Sequence, residues 1–372
     1  METEGNSHYS FLHTVSWLLY VGGIKKNEYG DVPITFRSLV LMVWVFALFF
    51  AIILKLFCCV ASLELFVAGI MVAAITFHLV VKQFILIIKR KEIISLIDDL
   101  EHCFILARTD PKFIEEKSLS VKKSGNKLII IMGVSIVIAF GFQYINHELT
   151  GDTSLPVEMW TPNGDEGTSF TVLVYQLFMG GGCATELVIY YALFLGLVST
   201  CRMIIDSLKG NFVKGPDEKE TLEAFLSRNV LAHAHLLKVV DDINANISPI
   251  VFLEILLSSI QCCCAGYLAN FDSFHNSLYF VYVQATLVMP GMICYLGQEI
   301  KNYYQDLFDQ LYDCPWYIAT PKQRRYYLMM ISMTSKPLIL HFRFLMTFDL
   351  ERYANVLQAA YSYITILQNL LN

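Results

Sequence analysis

The sequence predicts an all-α, polytopic membrane protein of seven transmembrane helices, with a cytosolic N-terminus, an extracellular C-terminus and a helical anchor bundle in the cytosol. Three observations carry this. Only 16% of the 372 residues are charged, 55% are hydrophobic and the mean hydropathy is +0.51, whereas soluble domains carry about 25% charged residues. The apolar residues gather in runs of about twenty, the helix length that crosses a bilayer. Lys and Arg then divide between alternate loops.

The expected spans are 38–60, 63–88, 128–147, 170–200, 249–268, 278–298 and 349–370. The first two are almost directly joined, which predicts a tight helical hairpin. The fourth and sixth are longer than a bilayer needs and should run on into the cytosol. The segment before the first span is acidic where a signal peptide would be basic, and its apolar run is short. The first span is therefore expected to target the chain.

Orientation follows from the 27 Lys and Arg residues. Nine lie between spans two and three, from Lys89 to Lys127. Six lie between spans four and five, and six between spans six and seven. The loops 148–169 and 269–277 hold none. The positive-inside rule then puts every basic loop in the cytosol. The sequon Asn246-Ile247-Ser248 falls on that side and should be unused. Net charge is −6 and no basic stripe appears, so nucleic acid is not an expected partner, whereas the lipid bilayer is.

The cytosolic segments read as amphipathic helices. Ile93, Ile94, Leu96, Ile97, Leu100 and Phe104 recur at helical spacing, as do Leu222, Phe225, Leu226, Val230, Leu236, Leu237, Val240 and Ile243. Their apolar faces need cover, either within the chain or between subunits. The anchor segments are 201–248 and 299–348.

No catalytic constellation is evident, and neither a cofactor nor a metal site is expected. Ten cysteines are present, none in an external loop, so no disulfide framework is implied. Cys262–Cys264 read as small packing residues within a span. His233 and His235, near Asp241 and Asp242, read as residues of a solvated helix face. Gly180, Gly181 and Gly182 lack a phosphate-loop context and suit close packing or a kink. Lys55, Glu64, Lys82, Glu186 and Glu254 are ionisable groups within spans, and such groups hint at function. Against that stands simple pairing or snorkelling: Lys55 with Glu64 at the outer end of the first hairpin, and Lys82 toward the cytosolic surface.

Two further sets bear on function. The outer halves of spans two, three, four and six combine aromatics, small residues and a few hydroxyls: Phe66, Ile70, Ala73 and Ala74; Phe140, Gly141 and Tyr144; Tyr175, Gln176 and Met179; Tyr279, Tyr282 and Thr286. Such a lining suits a small, mostly hydrophobic ligand, and equally suits ordinary packing with aromatic belts. The final segment, Phe348–Asn372, carries Gln358, Tyr361, Ser362, Thr365, Gln368, Asn369 and Asn372 at steps of three and four. A polar stripe on a membrane helix faces protein or water, because lipid cannot satisfy it.

The last sixty residues also carry local motifs. Asp313-Cys314-Pro315-Trp316-Tyr317 follows span six. A basic helix, Gln323–Lys336, closes on Pro337 within Thr334-Ser335-Lys336-Pro337-Leu338. Ala359-Ala360-Tyr361-Ser362-Tyr363-Ile364-Thr365-Ile366-Leu367 leads into the chain end. These resemble insect odorant receptors, with their Cys-x-Trp, Ser-Gln-Lys-Pro-Leu and Tyr-Ser-Tyr elements. The rest of the chain resembles the family in topology and length alone.

The resemblance implies an odour-tuned subunit of a ligand-gated, non-selective cation channel. It would assemble with an odorant co-receptor (Orco-type) subunit as a heterotetramer, in the plasma membrane of olfactory sensory neurons. A small hydrophobic odorant would bind the outer bundle. Tyr361, Ile364, Thr365, Leu367, Gln368 and Asn369 would line the pore, and Trp316, Tyr326, Tyr327 and Met330 would contact neighbouring subunits. Where the co-receptor resembles Val-Gln, this chain has Gln368-Asn369. It also lacks the co-receptor's long insertion between spans four and five. The alternatives are a metabotropic seven-helix chemoreceptor or a gustatory-type receptor channel. The first would carry Asp-Arg-Tyr after span three and Asn-Pro-x-x-Tyr in span seven, and neither is present. A transporter would show internal repeats, and none is seen.

Overall fold

In the computed structural model the described residues are 19–27, 30–58, 63–110, 112–123, 126, 127, 130, 134, 170–268 and 276–371. Side chains at 58, 63–65, 170–173, 175–177, 179–186, 276–285, 364 and 367–371 also lie outside the described set. The fold is helical: α1 (Phe36–Cys58), α2 (Leu63–Ile88), α3 (Arg90–Ala107), α4 (Phe170–Lys214), α5 (Leu222–Asn246), α6 (Ser248–Leu268), α7 (Asn276–Asp313), α8 (Pro321–Thr334) and α9 (Leu350–Leu371). The segment 128–147, expected as the third span, falls largely outside the described residues.

Four helices among the described residues are long and apolar enough to cross a membrane: Phe36–Phe57, Phe66–Ile88, Leu187–Lys214 and Ser248–Leu268. Their burial separates lipid-facing from central helices. The apolar window of the first is 22% buried and that of the third is 78% buried. Accordingly α1 turns Phe36, Val43, Phe46, Phe50 and Phe57 outward, where hydrocarbon is the solvent they match. Helix α4 is the central post. Helices α2, α4, α7 and α6 pack in that cyclic order and close a four-helix ring, with α1 outside α2 and α9 outside α6 and α7.

On the Lys/Arg-rich side, α4 and α7 continue as one bundle with α3, α5 and α8. The amphipathic faces are covered within the chain. Helix α3 buries Ile93, Leu96, Ile97, Leu100, Cys103 and Phe104. Helix α5 buries Phe225, Leu226, Leu236, Val240 and Ile243, while Leu222, Val230 and Leu237 pack at the margin. At the centre the Ala107 carbonyl accepts from Asn211 Nδ2 at 2.9 Å and from an Arg228 guanidinium nitrogen at 3.0 Å. Arg228 also forks onto Glu220, with both N–H···O distances 3.0 Å. That fork holds the Glu220 carboxyl below the usual carboxylate range. This knot ties the end of α3 to α4 and α5, where Arg108 takes a left-handed cap at φ 47°. Pairs Arg202–Glu299 and Lys209–Asp306, each 3.1 Å, lace α4 to α7.

Helix α8 starts where its sequence says it should. Thr320 and Gln323 form a reciprocal capping box and Pro321 takes the first helical position. After it comes a small antiparallel hairpin, β1 (His341–Phe342) and β2 (Met346–Thr347), in which His341 faces Thr347. Two-residue strands carry no periodic signal. The hairpin is held from outside, by Asn244 Oδ1 accepting from the His341 N–H at 2.9 Å and by Phe342 stacked on Phe252 at 4.9 Å.

The chain then enters α9 over Gly297 of α7. A Cβ at Gly297 would collide with the Phe348 carbonyl oxygen, so only glycine admits this crossing. Asp349 caps α9, accepting from the Arg352 N–H at 2.9 Å and from the Thr347 hydroxyl at 2.9 Å.

Candidate functional site

The four-helix ring holds an ionic cluster in its basic-side half. Lys82 is six residues from the end of α2 and Glu254 six from the start of α6. At ~1.5 Å rise per residue, both sit about 9 Å into their helices, at matched depth. The Lys82 ammonium pairs with Glu254 Oε2, and His78, one turn above on α2, places Nε2 3.5 Å from the same oxygen. Tyr191, from α4, donates its hydroxyl to Glu254 Oε1. The ammonium lies 4.4 Å and 4.5 Å from the ring centroids of Tyr190 and Tyr191. Lys82 is 1% exposed, and His78 and Glu254 are each 5% exposed.

Lys82 thus does not snorkel to the surface. It is a buried charge whose desolvation is offset by a carboxylate and two aromatic faces. The cluster joins α2 and α4 to α6 on the basic side of the ring. A ligand held among these helices would rest above that cluster.

Of the residues expected to line such a pocket, Ile70, Ala73 and Ala74 of α2 and Thr286 of α7 are half-buried, and Phe66 is exposed. Helices α2 and α7 stand on opposite sides of the ring, with α4 and α6 between them. Phe140, Gly141 and Tyr144, and the side chains of Tyr175, Gln176, Met179, Tyr279 and Tyr282, lie outside the described residues. So do those of Glu64 and Glu186, which leaves the expected Lys55–Glu64 pair undescribed.

Helix α9 packs on α6 and α7, with Tyr353 and Val356 against the core and Ala360 buried. Its opposite face is open: Tyr361 is 72% exposed, and Ser362, Tyr363 and Ile366 are exposed with it. The hydroxyls of Ser362 and Thr365 bond back to the Gln358 and Tyr361 carbonyls at 2.9 Å and 3.0 Å. The stripe is therefore less polar in effect than its composition. The side chains of Ile364, Leu367, Gln368 and Asn369 lie outside the described residues.

His233 is not on a solvated face. It is fully buried, 2.8 Å from the Tyr304 hydroxyl, and burial holds its pKa down to about 4 and pushes that of Tyr304 up. No group of three potential metal ligands occurs among the described residues. Tyr327 and Met330 are buried in the chain's own core, while Trp316 and Tyr326 are half-buried. Neither the Tyr327 nor the Met330 side chain is open on the surface of this chain. The open apolar residues nearby are Tyr317, Ile318, Leu328 and Met329.

Comparison with known proteins agrees with this architecture. The pattern of the 7tm odorant receptor family matches residues 62–361. Odorant receptor 10 of Aedes albopictus is 21% identical over 314 residues, covering 81% of this chain and 83% of the relative. Odorant receptor 9a of Drosophila melanogaster is 29% identical over 154 residues, covering 41% and 38%. The solved structure of the insect olfactory receptor OR5 from Machilis hrabei, in complex with eugenol, superposes with a TM-score of 0.82 at 13% identity, covering 98% of each chain.

Proposed function

The chain belongs to the 7tm odorant receptor family, a family of multi-pass membrane receptors, and on that premise we propose that it is the odour-tuned subunit of a ligand-gated cation channel. A small hydrophobic odorant binds in the outer half of the α2–α4–α6–α7 ring, above the Lys82–Glu254 floor. The α9 helices of this chain and of Orco-type co-receptor subunits together line the conduction path. The assembly sits in the plasma membrane of olfactory sensory neurons.

The observation that carries this reading is the open face of α9. Helix α9, at the edge of the bundle, buries Ala360 and exposes Tyr361, Ser362 and Tyr363, hydroxyl-bearing residues that a polar surrounding on that side would suit. One helix cannot enclose a pore, so neighbouring subunits supply the remainder. Odorant binding shifts the population toward an arrangement in which these helices stand further from the axis.

Two-electrode recording with and without the co-receptor tests the proposal. The expected result is odorant-evoked current that needs both subunits and persists when G-protein signalling is blocked. Current abolished by that block would contradict it.

A further inference from the structure

Helix α7 carries Pro290 in its interior. Proline has no N–H to donate to the carbonyl four residues before it, and its ring crowds that turn. Leu287 lies in that turn, and its carbonyl accepts the hydroxyl of Tyr353, from the first turn of α9, at 2.8 Å. The Tyr353 ring is seated by the residue after the proline. A Cβ at Gly291 would stand 3.0 Å from Tyr353 Cζ and 3.1 Å from its hydroxyl, tighter than a comfortable van der Waals contact.

Two fixtures make this contact rigid on the α9 side. Asp349 caps the helix at its first turn, and the Tyr353 N–H bonds the Asp349 carbonyl at 3.1 Å. Below, the Phe348 carbonyl sits against Gly297. On the α7 side, the bonded carbonyl is adjacent in sequence to Thr286, the lowest of the candidate ligand residues on that helix. Bending of α7 at Pro290 therefore pulls on the base of α9 through one hydroxyl.

We propose that Tyr353 is the residue that transmits movement of the proline-containing α7 to the pore helix α9. This rests on the channel reading above. Tyr353 touches neither ligand nor permeating ion in this account. Its work is done through a hydrogen bond to the backbone carbonyl of Leu287, three residues before the proline.

Tyr353→Phe removes that bond and nothing else. Gly291→Ala presses a methyl group into the ring and displaces it. Each is co-expressed with the co-receptor, with eugenol, aliphatic esters and aliphatic alcohols as the odorant panel, and current is normalised to surface-labelled receptor. Both variants are expected to lower the maximal evoked current by about fivefold or more, the lower end of ordinary coupling factors. The half-maximal odorant concentration should stay within about twofold of wild type, since binding is not what is lost.

A Tyr353→Phe channel with wild-type maximal current overturns the inference and leaves the channel reading intact. So does a variant that shifts the half-maximal concentration while keeping the maximum, which would place Tyr353 in binding. A wild-type pair that gives no current with any member of the panel contradicts the channel reading, and this inference with it.

Discussion

Glu254 receives three partners from two helices, the Lys82 ammonium and His78 of α2 and the Tyr191 hydroxyl of α4. Removing one member of such a buried pair leaves an uncompensated charge and costs about 3–5 kcal/mol, whereas replacing both by apolar residues of similar size is often close to neutral. Lys82→Met alone should therefore strip the receptor from the cell surface, and Lys82→Met with Glu254→Met should restore much of it. Surface biotinylation of the three variants checks this, and a double variant as depleted as the single would refute it. His233 gives a second test. Its pKa is held down to about 4 by burial, below the ordinary value near 6.5, so the unfolded chain binds the extra proton first. Stability should be full above about pH 6.5 and fall as pH drops toward about 4. Thermal unfolding in detergent at pH 7 and pH 5 reads this, and His233→Gln should flatten the slope. Part of this was open to sequence reading. Lys82 and Glu254 lie at equal depth from the same side, which pairs them, and His233 falls seven residues from Leu226 and Val240, on the buried face of α5. The Tyr190–Tyr191 cage was not open to it, because rotation of a 45-residue helix is set by what packs around it.

At the scale of elements, the helices follow from apolar runs and caps, while the crossings follow from small residues whose partners are remote in sequence. Gly297 shows this. Nothing local marks it, yet Phe348, fifty-one positions on, needs its missing side chain. Gly297→Ala should force α7 and the start of α9 apart and cost about 1–3 kcal/mol, as overpacking does. Odorant-evoked current per surface receptor should fall with it, and unchanged current would contradict the crossing. In the bundle on the Lys/Arg-rich side, Arg228→Ala removes both bonds to Glu220 and one to the Ala107 carbonyl. A loss of about 1.5–3 kcal/mol is expected for charged hydrogen bonds at a largely buried site, read as a lowered melting temperature. The β1–β2 hairpin was invisible beforehand. Its signal is a single Asn244 side chain on another helix, not a pattern along its own residues.

At the scale of the molecule, a closed ring of four helices, crossed by an ion pair, adjoins a bundle that the chain completes by itself. The charge deficit and the long apolar runs foretold a helical membrane protein, because they report the solvent along the chain. They could not foretell that Tyr327 and Met330 face inward while Leu328 and Met329 face outward. Contact between subunits should therefore weaken on Leu328→Ala or Met329→Ala, measured by co-purification of the co-receptor, and not through surface loss of Tyr327. The central claim concerns α9, whose inner side is built into the chain and whose outer side is open. Cysteine accessibility along α9 in the assembled channel tests it most directly. With a charged thiosulfonate applied during odorant-evoked current, cysteines at Tyr361, Thr365 and Gln368 should react and change the current, at steps of three and four, while one at the buried Ala360 should not. Current that flows while none of the three is modified, or modification that runs along the helix without that period, would contradict the account.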